Sequence, residues 1–154
     1  MMWQQGREII ERMLSAGELD RVTPSQERAD LLLDQAENHL ESATERAEKD
    51  PEGAYALLYD AARKALVAVL ENQGLRTTSA GGHIGLYEAV SAQLDPPLGK
   101  LLRPFQRMRR RRISLEYPDF SEPATTPAAV IGESATASAI VNMARRVVTE
   151  MPPF

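Results

Sequence analysis

Three pairs set a capping residue directly before a proline and ahead of a long apolar-periodic segment: Thr23-Pro24, Asp50-Pro51 and Thr126-Pro127. Thr and Asp side chains accept hydrogen bonds from the free N–H groups of a helix's first turn, and proline suits the first helical position because its missing N–H would be unpaired there. Each pair therefore predicts a helix start, and each is followed by apolar residues at helical spacing. The helix over 24–48, where Gln26 can complete a capping box with Thr23, carries Ala29, Leu32, Leu33, Ala36, Leu40, Ala43 and Ala47 on one stripe. The helix over 51–73 buries Ala54, Leu58, Ala61, Ala65 and Val69 with Leu57, Leu66 and Leu70, and Gly74 stops it. The helix over 127–150 aligns Val130, Ala137, Val141, Ala144 and Val148 and ends at Pro152-Pro153. Its segment Gly132–Ala139 is weak in helix propensity, so a break is expected as an alternative there.

The rest of the chain follows the same pattern. Residues 3–17 place Ile9, Ile10, Met13 and Leu14 on one face before Gly17. Thr77–Gly82 reads as a loop, Gly82-His83 opens a short helix ending near Leu94, and Asp95-Pro96-Pro97 interrupts the chain. A further helix starts near Pro97 or at Pro104 and runs to about 116, before a Pro/Thr-rich connection over Pro118–Thr126. No segment shows a run of alternating strand residues. The expected fold is all-α, an antiparallel bundle of five to six helices. An N-terminal helix over 1–22 packs on the bundle of 23–150, and 151–154 form a tail.

At 154 residues the chain has one domain's worth of sequence. It has no cysteine, which excludes a disulfide framework, a thiolate zinc site and a cysteine nucleophile. With only His39 and His83, a three-histidine metal site would need a second chain. No cofactor or metal is expected. The longest wholly apolar run, Ala65–Leu70, is far too short to cross a bilayer. Met1-Met2-Trp3-Gln4-Gln5 lacks the pattern of a secretory signal, so a reducing cytoplasmic location is the expectation.

The formal charge of −4 hides an asymmetry. Arg103, Arg107, Arg109, Arg110, Arg111 and Arg112 lie within ten residues that hold no acid, leaving twelve of the 18 basic residues to face 22 acids elsewhere. On a helical wheel Leu101, Phe105, Met108 and Leu115 share one side, while Arg103, Arg107 and Arg110 lie opposite, with Arg111 nearer the margin. A solvated face accounts for those four. Arg112 falls in the middle of the apolar stripe, between Met108 and Leu115, and Arg109 sits at its edge. An unpaired guanidinium facing a core costs several kcal/mol. Three answers stand open. The helix ends before 112; or Arg112 pairs with a carboxylate from another helix; or the stripe leaves the core and lines a cleft or dimer seam that receives an anion. Arginine forks match phosphate oxygens, which tilts the balance toward an anion.

The segment Arg109-Arg110-Arg111-Arg112-Ile113-Ser114-Leu115-Glu116-Tyr117-Pro118 resembles the signature of the HEPN domains of bacteria and archaea. A branch of single-domain bacterial members carries Arg-Asn-x-x-Glu-Tyr-Pro there. Trp3-Gln4-Gln5-Gly6-Arg7, Asp50-Pro51-Glu52-Gly53-Ala54-Tyr55, Tyr59-Asp60-Ala61-Ala62-Arg63-Lys64-Ala65-Leu66 and Gly82-His83 are similar to other parts of that branch, so the resemblance spans about residues 3–148. It implies a small antiparallel helical bundle, often homodimeric. In active members the paired motifs of two chains form a metal-independent ribonuclease site. There the RNA 2′-OH is the internal nucleophile, a histidine moves the proton and an arginine stabilises the transition state.

By this resemblance Arg112 takes the motif arginine position, Ile113 replaces the asparagine and Tyr117 occupies the histidine position. A tyrosine, with a reference pKa near 10, is a poor base at neutral pH, although it can donate a hydrogen bond to phosphate. A shifted register puts Arg110 at the arginine position and Leu115, which has no proton chemistry, at the histidine position. Tyr117 then matches the tyrosine of an Arg-x-x-x-x-His-x-Tyr variant that partner nucleotidyltransferases can modify. The usual pair is incomplete in both registers, which weighs against ribonuclease activity. His83 is a substitute imidazole, against the simpler reading of a helix-terminal histidine bonded to backbone. His39 borders its helix's apolar stripe and reads as a packing residue. Tyr55 and Tyr59 lie one turn apart and read as core before interface. Glu116 is placed to hold the Arg112 or Arg109 fork, and Asp119 to do so from the loop.

The expected function is a HEPN-like homodimer whose basic cleft binds RNA or another phosphate ligand in a toxin–antitoxin or nucleic-acid-defence setting. Arg112 and Tyr117 sit at its centre, Arg107, Arg109, Arg110 and Arg111 bind phosphate, and Glu116 and His83 support. Two other classes remain open. One is a non-catalytic module that binds a partner protein such as a minimal nucleotidyltransferase. The other is a bundle that binds a nucleotide or small phosphate ligand.

Overall fold

A computed structural model describes residues 3–118 and 121–154 of the chain. Two of the cap-proline pairs act as their sequence predicts. The Asp50 side chain accepts from the Gly53 N–H at 3.0 Å, and helix α3 runs from Pro51 to Gln73, closed by Gly74 at φ +85°. Thr126 accepts from the Ala129 N–H at 3.1 Å, and helix α7 runs unbroken from Pro127 to Glu150, through the Gly132–Ala139 segment where a break was an alternative. The first pair differs. Helix α2 spans Gln26–Arg46, two residues shorter at each end than 24–48, and its cap is Ser25, which accepts from the Arg28 N–H at 3.1 Å. The Ser25 N–H donates to the Glu71 carbonyl at 3.0 Å, and Val22 N–H donates to the Gly74 carbonyl at 2.9 Å. The end of α3 thus fixes where α2 begins, and Thr23-Pro24 stays outside the helix.

Helix α3 is the axis of the fold, with α2 and α7 packed along it. Alanines Ala54, Ala61, Ala62, Ala65 and Ala68 of α3 are fully buried, as are Ala29, Leu33, Ala36 and Ala43 of α2. Small side chains on both helices allow the backbones to approach closely.

Among the described residues there are six substantial helices and one four-residue helix. They include α1 (Arg7–Ser15), α4 (Gly82–Leu94), the short α5 (Gly99–Leu102) and α6 (Pro104–Glu116). The architecture is all-α, with one small exception. Strand β1 (Leu19–Arg21) pairs antiparallel with β2 (Leu75–Thr77), in register Leu19↔Thr77, Asp20↔Arg76 and Arg21↔Leu75. Three-residue strands are too short to show alternation, so only their meeting in space reveals them.

The N-terminal segment docks on α4. Trp3 donates from Nε1 to the Gln93 carbonyl at 3.1 Å, and Arg12 pairs with Glu88. Gly6 has φ +75°, and a Cβ there would collide with the Ala92 carbonyl. Phe105 of α6 stacks between Tyr59 of α3 (centroids 5.4 Å apart) and Tyr87 of α4 (6.3 Å), which fixes α6 against α3. No helix among the described residues is long and apolar enough to cross a membrane.

Candidate functional site

The first half of α6 is anchored in the core by Phe105 and Met108. The helix runs on to Glu116, so it does not end before Arg112. Nor, among the described residues, does Arg112 reach a carboxylate on another helix. Its Nη1 lies 3.0 Å from Glu116 Oε1 on the same helix, and its side chain is 31% exposed. The apolar stripe leaves the core at this point and lines a cavity of about 200 Å³ between α3 and α6. Tyr59, Asp60 and Arg63 of α3 form one wall, and Arg109, Arg112, Ile113 and Glu116 of α6 the other. Arg109 Nε is buried, with no hydrogen-bond partner among the described residues. Three guanidiniums against two carboxylates give the cavity a net positive charge. The Tyr59 hydroxyl is pushed up to about 12, chiefly by burial, and is a neutral group at pH 7.

The other arginines separate into two kinds. Arg107 Nη2 donates to Glu133 Oε1 of α7 at 2.6 Å, and the buried Tyr55 hydroxyl donates to Oε2 at 3.2 Å. Burial and then the adjacent Glu133 charge push the Tyr55 hydroxyl up, so it stays protonated. Arg111 is 25% exposed and turns toward the connection after α6. It donates from Nη2 to Thr125 Oγ1 (2.6 Å) and the Pro123 carbonyl (3.1 Å), with Glu122 at 3.5 Å from Nη1. Arg107 and Arg111 are thus tied to α7 and to the α6–α7 connection, rather than lying free in solvent. Arg103 is exposed, with Asp95 at 3.7 Å, and Arg110 is exposed, as a solvated face requires.

Tyr117 forms the C-terminal cap of α6, is 75% exposed, and is not among the cavity's lining residues. Arg112 and Tyr117 are therefore not brought together in one enclosed site within a single chain. Leu115 packs against the core edge. His83 lies in the first turn of α4, and its side chain lies outside the described residues, as does Asp119. Tyr55 and Tyr59 are both core residues.

Asp60, Arg63 and Lys64 have no site role in the sequence, yet Asp60 and Arg63 line the cavity and Lys64 lies beside them. Asp60 Oδ1 accepts from Arg63 Nε and Nη2, each at 3.1 Å. His39, read as packing, makes polar contacts instead. Its Nε2 lies 2.8 Å from Lys64 Nζ and 3.8 Å from Asp60 Oδ2. The ammonium can only donate, so Nε2 accepts and the ring is neutral with its proton on Nδ1. Burial, then the Lys64 charge, hold its pKa below the usual histidine value. A signal for this group was present in the sequence, because Asp60, Arg63 and Lys64 interrupt an otherwise alanine- and leucine-rich buried helix.

A protein-family model described as HEPN domain matches residues 29–152 of the chain. No curated protein and no solved structure matches it.

Proposed function

The chain belongs to the HEPN domain family, and from that membership we propose that it binds the phosphate backbone of RNA at the cavity between α3 and α6, as a homodimer, in a toxin–antitoxin or nucleic-acid-defence setting. The observation that carries this reading is the division of labour among six neighbouring arginines. Arg107 and Arg111 are engaged by acceptors of the chain itself. Arg109 and Arg112 instead line one positively charged cavity. Phosphate oxygens are acceptors matched to guanidinium forks. Exposed Ile113 and Tyr117 lie on the same end of α6 and offer apolar surface for a second copy, so that two such cavities would adjoin one seam.

Hydrolysis is not part of this proposal. Ile113 cannot orient a phosphate as an asparagine would, and Tyr117 is no base at neutral pH. The test combines a binding and a cleavage assay on single-stranded RNA with wild type, Arg112→Ala and Tyr117→Phe. Binding by wild type should weaken steeply with salt, by roughly 0.7 log units per phosphate contact for each log unit of salt. Absence of salt-sensitive binding would overturn the reading. Cleavage lost in both variants would restore a catalytic role to these residues. Sedimentation of the purified chain tests the dimer.

A further inference from the structure

The cavity has two walls, and the family signature accounts for only one of them. The opposite wall belongs to α3, where between Leu58 and Val69 only Asp60, Arg63, Lys64 and Val67 are not fully buried. Arg63 directs Nε and Nη2 at a single oxygen of Asp60, both at 3.1 Å. Two donors on one acceptor fix the plane of the guanidinium and leave its Nη1 amino group without a partner among the described residues. The other Asp60 oxygen is 3.8 Å from His39 Nε2 on α2, so the carboxylate is flanked by a neighbouring helix as well as its own. Arg63 also lines a second hollow with Val67, Thr77, Gly82 and Leu86, so its side chain borders both.

We infer that Arg63 is the third phosphate-binding guanidinium of this site, supplied by α3 opposite Arg109 and Arg112, and that Asp60 is the positioning residue that holds its fork. The inference rests on the reading of the cavity as an RNA-phosphate site. A long flexible arginine loses rotamer freedom when it engages a ligand, and one already held by a carboxylate loses less. Asp60 therefore has two opposed effects on an anion. Its charge repels the ligand, and its grip prepares Arg63. If Asp60 acted through charge alone, removing it would add a unit of positive charge and tighten binding. If its grip matters more, removing it weakens binding against the electrostatic trend.

The experiment is fluorescence anisotropy of a labelled single-stranded RNA oligonucleotide at fixed low salt. The variants are Arg63→Ala, Arg63→Lys, Asp60→Ala, the Asp60→Ala/Arg63→Ala double variant, and Arg146→Ala as an exposed control on α7. Arg63→Ala should weaken binding by about tenfold or more, and Arg146→Ala by little. Arg63→Lys keeps the stem and the charge but not the fork. It should recover only part of the loss, and it carries the test should Arg63→Ala fold poorly. Asp60→Ala should weaken binding severalfold, and the double variant should bind no worse than Arg63→Ala alone. Arg63→Ala indistinguishable from Arg146→Ala, or tighter binding by Asp60→Ala, would overturn the inference. If Arg112→Ala still weakened binding in the same assay, the RNA-phosphate reading would survive that result. No salt-sensitive binding by wild type would overturn both.

Discussion

Arg107 of α6 and Glu133 of α7 meet at 2.6 Å, and the Tyr55 hydroxyl of α3 reaches the other oxygen of the same carboxylate at 3.2 Å. One glutamate, 13% exposed, thereby joins three helices beside the arginine segment. An arginine that looks like part of a ligand-binding cluster in the sequence is a structural tie in the fold.

Glu133→Ala should therefore destabilise the protein while leaving RNA binding near the wild-type level. The loss is about 1–2 kcal/mol, because the buried Tyr55 hydroxyl is left without its acceptor while Arg107 remains well hydrated. Thermal melting should show a fall of about 2–8 °C. A much larger drop in RNA affinity than in stability would place Arg107 in the site after all.

The six arginines should rank by their surroundings rather than by their number. Arg112→Ala and Arg109→Ala should each weaken RNA binding by about tenfold or more, and Arg103→Ala by less than about threefold. Each lost phosphate contact should also flatten the salt dependence by roughly 0.7. Equal losses at all three positions would mean that diffuse charge, and not the cavity, drives association.

His39 makes stability depend on pH in a defined direction. In the folded chain its pKa lies below 6.5 because of burial and the neighbouring Lys64. Below that value the unfolded chain binds a proton that the folded chain resists, so stability increases with pH in this window. His39 is therefore fully compatible with the fold above about pH 6.5, and it costs stability as pH falls from there through its folded pKa. Melting temperatures between pH 7 and pH 5.5 should fall further for wild type than for His39→Gln. Parallel profiles would show that His39 titrates as it does in the unfolded chain.

Glu71 should be the most sensitive carboxylate outside the site. It is 5% exposed and lies 2.8 Å from Arg76 Nε and 3.4 Å from Arg28 Nη1, where the start of α2 meets the end of α3. Glu71→Ala should cost roughly 2 kcal/mol. The loss is less than for a fully buried pair because both arginines keep contact with water. Arg28→Ala should cost less than about 1 kcal/mol, since Arg76 remains. Denaturant unfolding distinguishes the two.

The cap of α2 offers a direct check on where that helix starts. Ser25→Ala should cost about 1 kcal/mol, and Thr23→Ala less than about 0.5 kcal/mol, because only the Ser25 hydroxyl accepts from the first turn. The reverse order in chemical denaturation would return the cap to Thr23.

What the sequence by itself determined was the set of six longer helices, without the four-residue α5. Capping chemistry and the 3.6-residue period act locally, so Asp50-Pro51, Gly74 and Thr126-Pro127 could be placed without any knowledge of neighbours. The same local period showed that Arg112 shares a face with Phe105 and Met108, and that this arginine needed a special explanation. Tertiary structure alone decided the rest. Ser25 rather than Thr23 caps α2 because the end of α3 holds the Ser25 backbone. The paired strands exist because the α2–α3 hairpin brings residues 19–21 beside residues 75–77. Among the arginines the wheel could assign a side but not a partner. Glu133, Thr125 and Asp60 are distant in sequence from α6, and their positions separate Arg107 and Arg111, which tie helices together, from Arg109 and Arg112, which face a cavity. A guanidinium's role is set by which acceptor lies within about 3 Å of it, and that distance is a property of the packed fold.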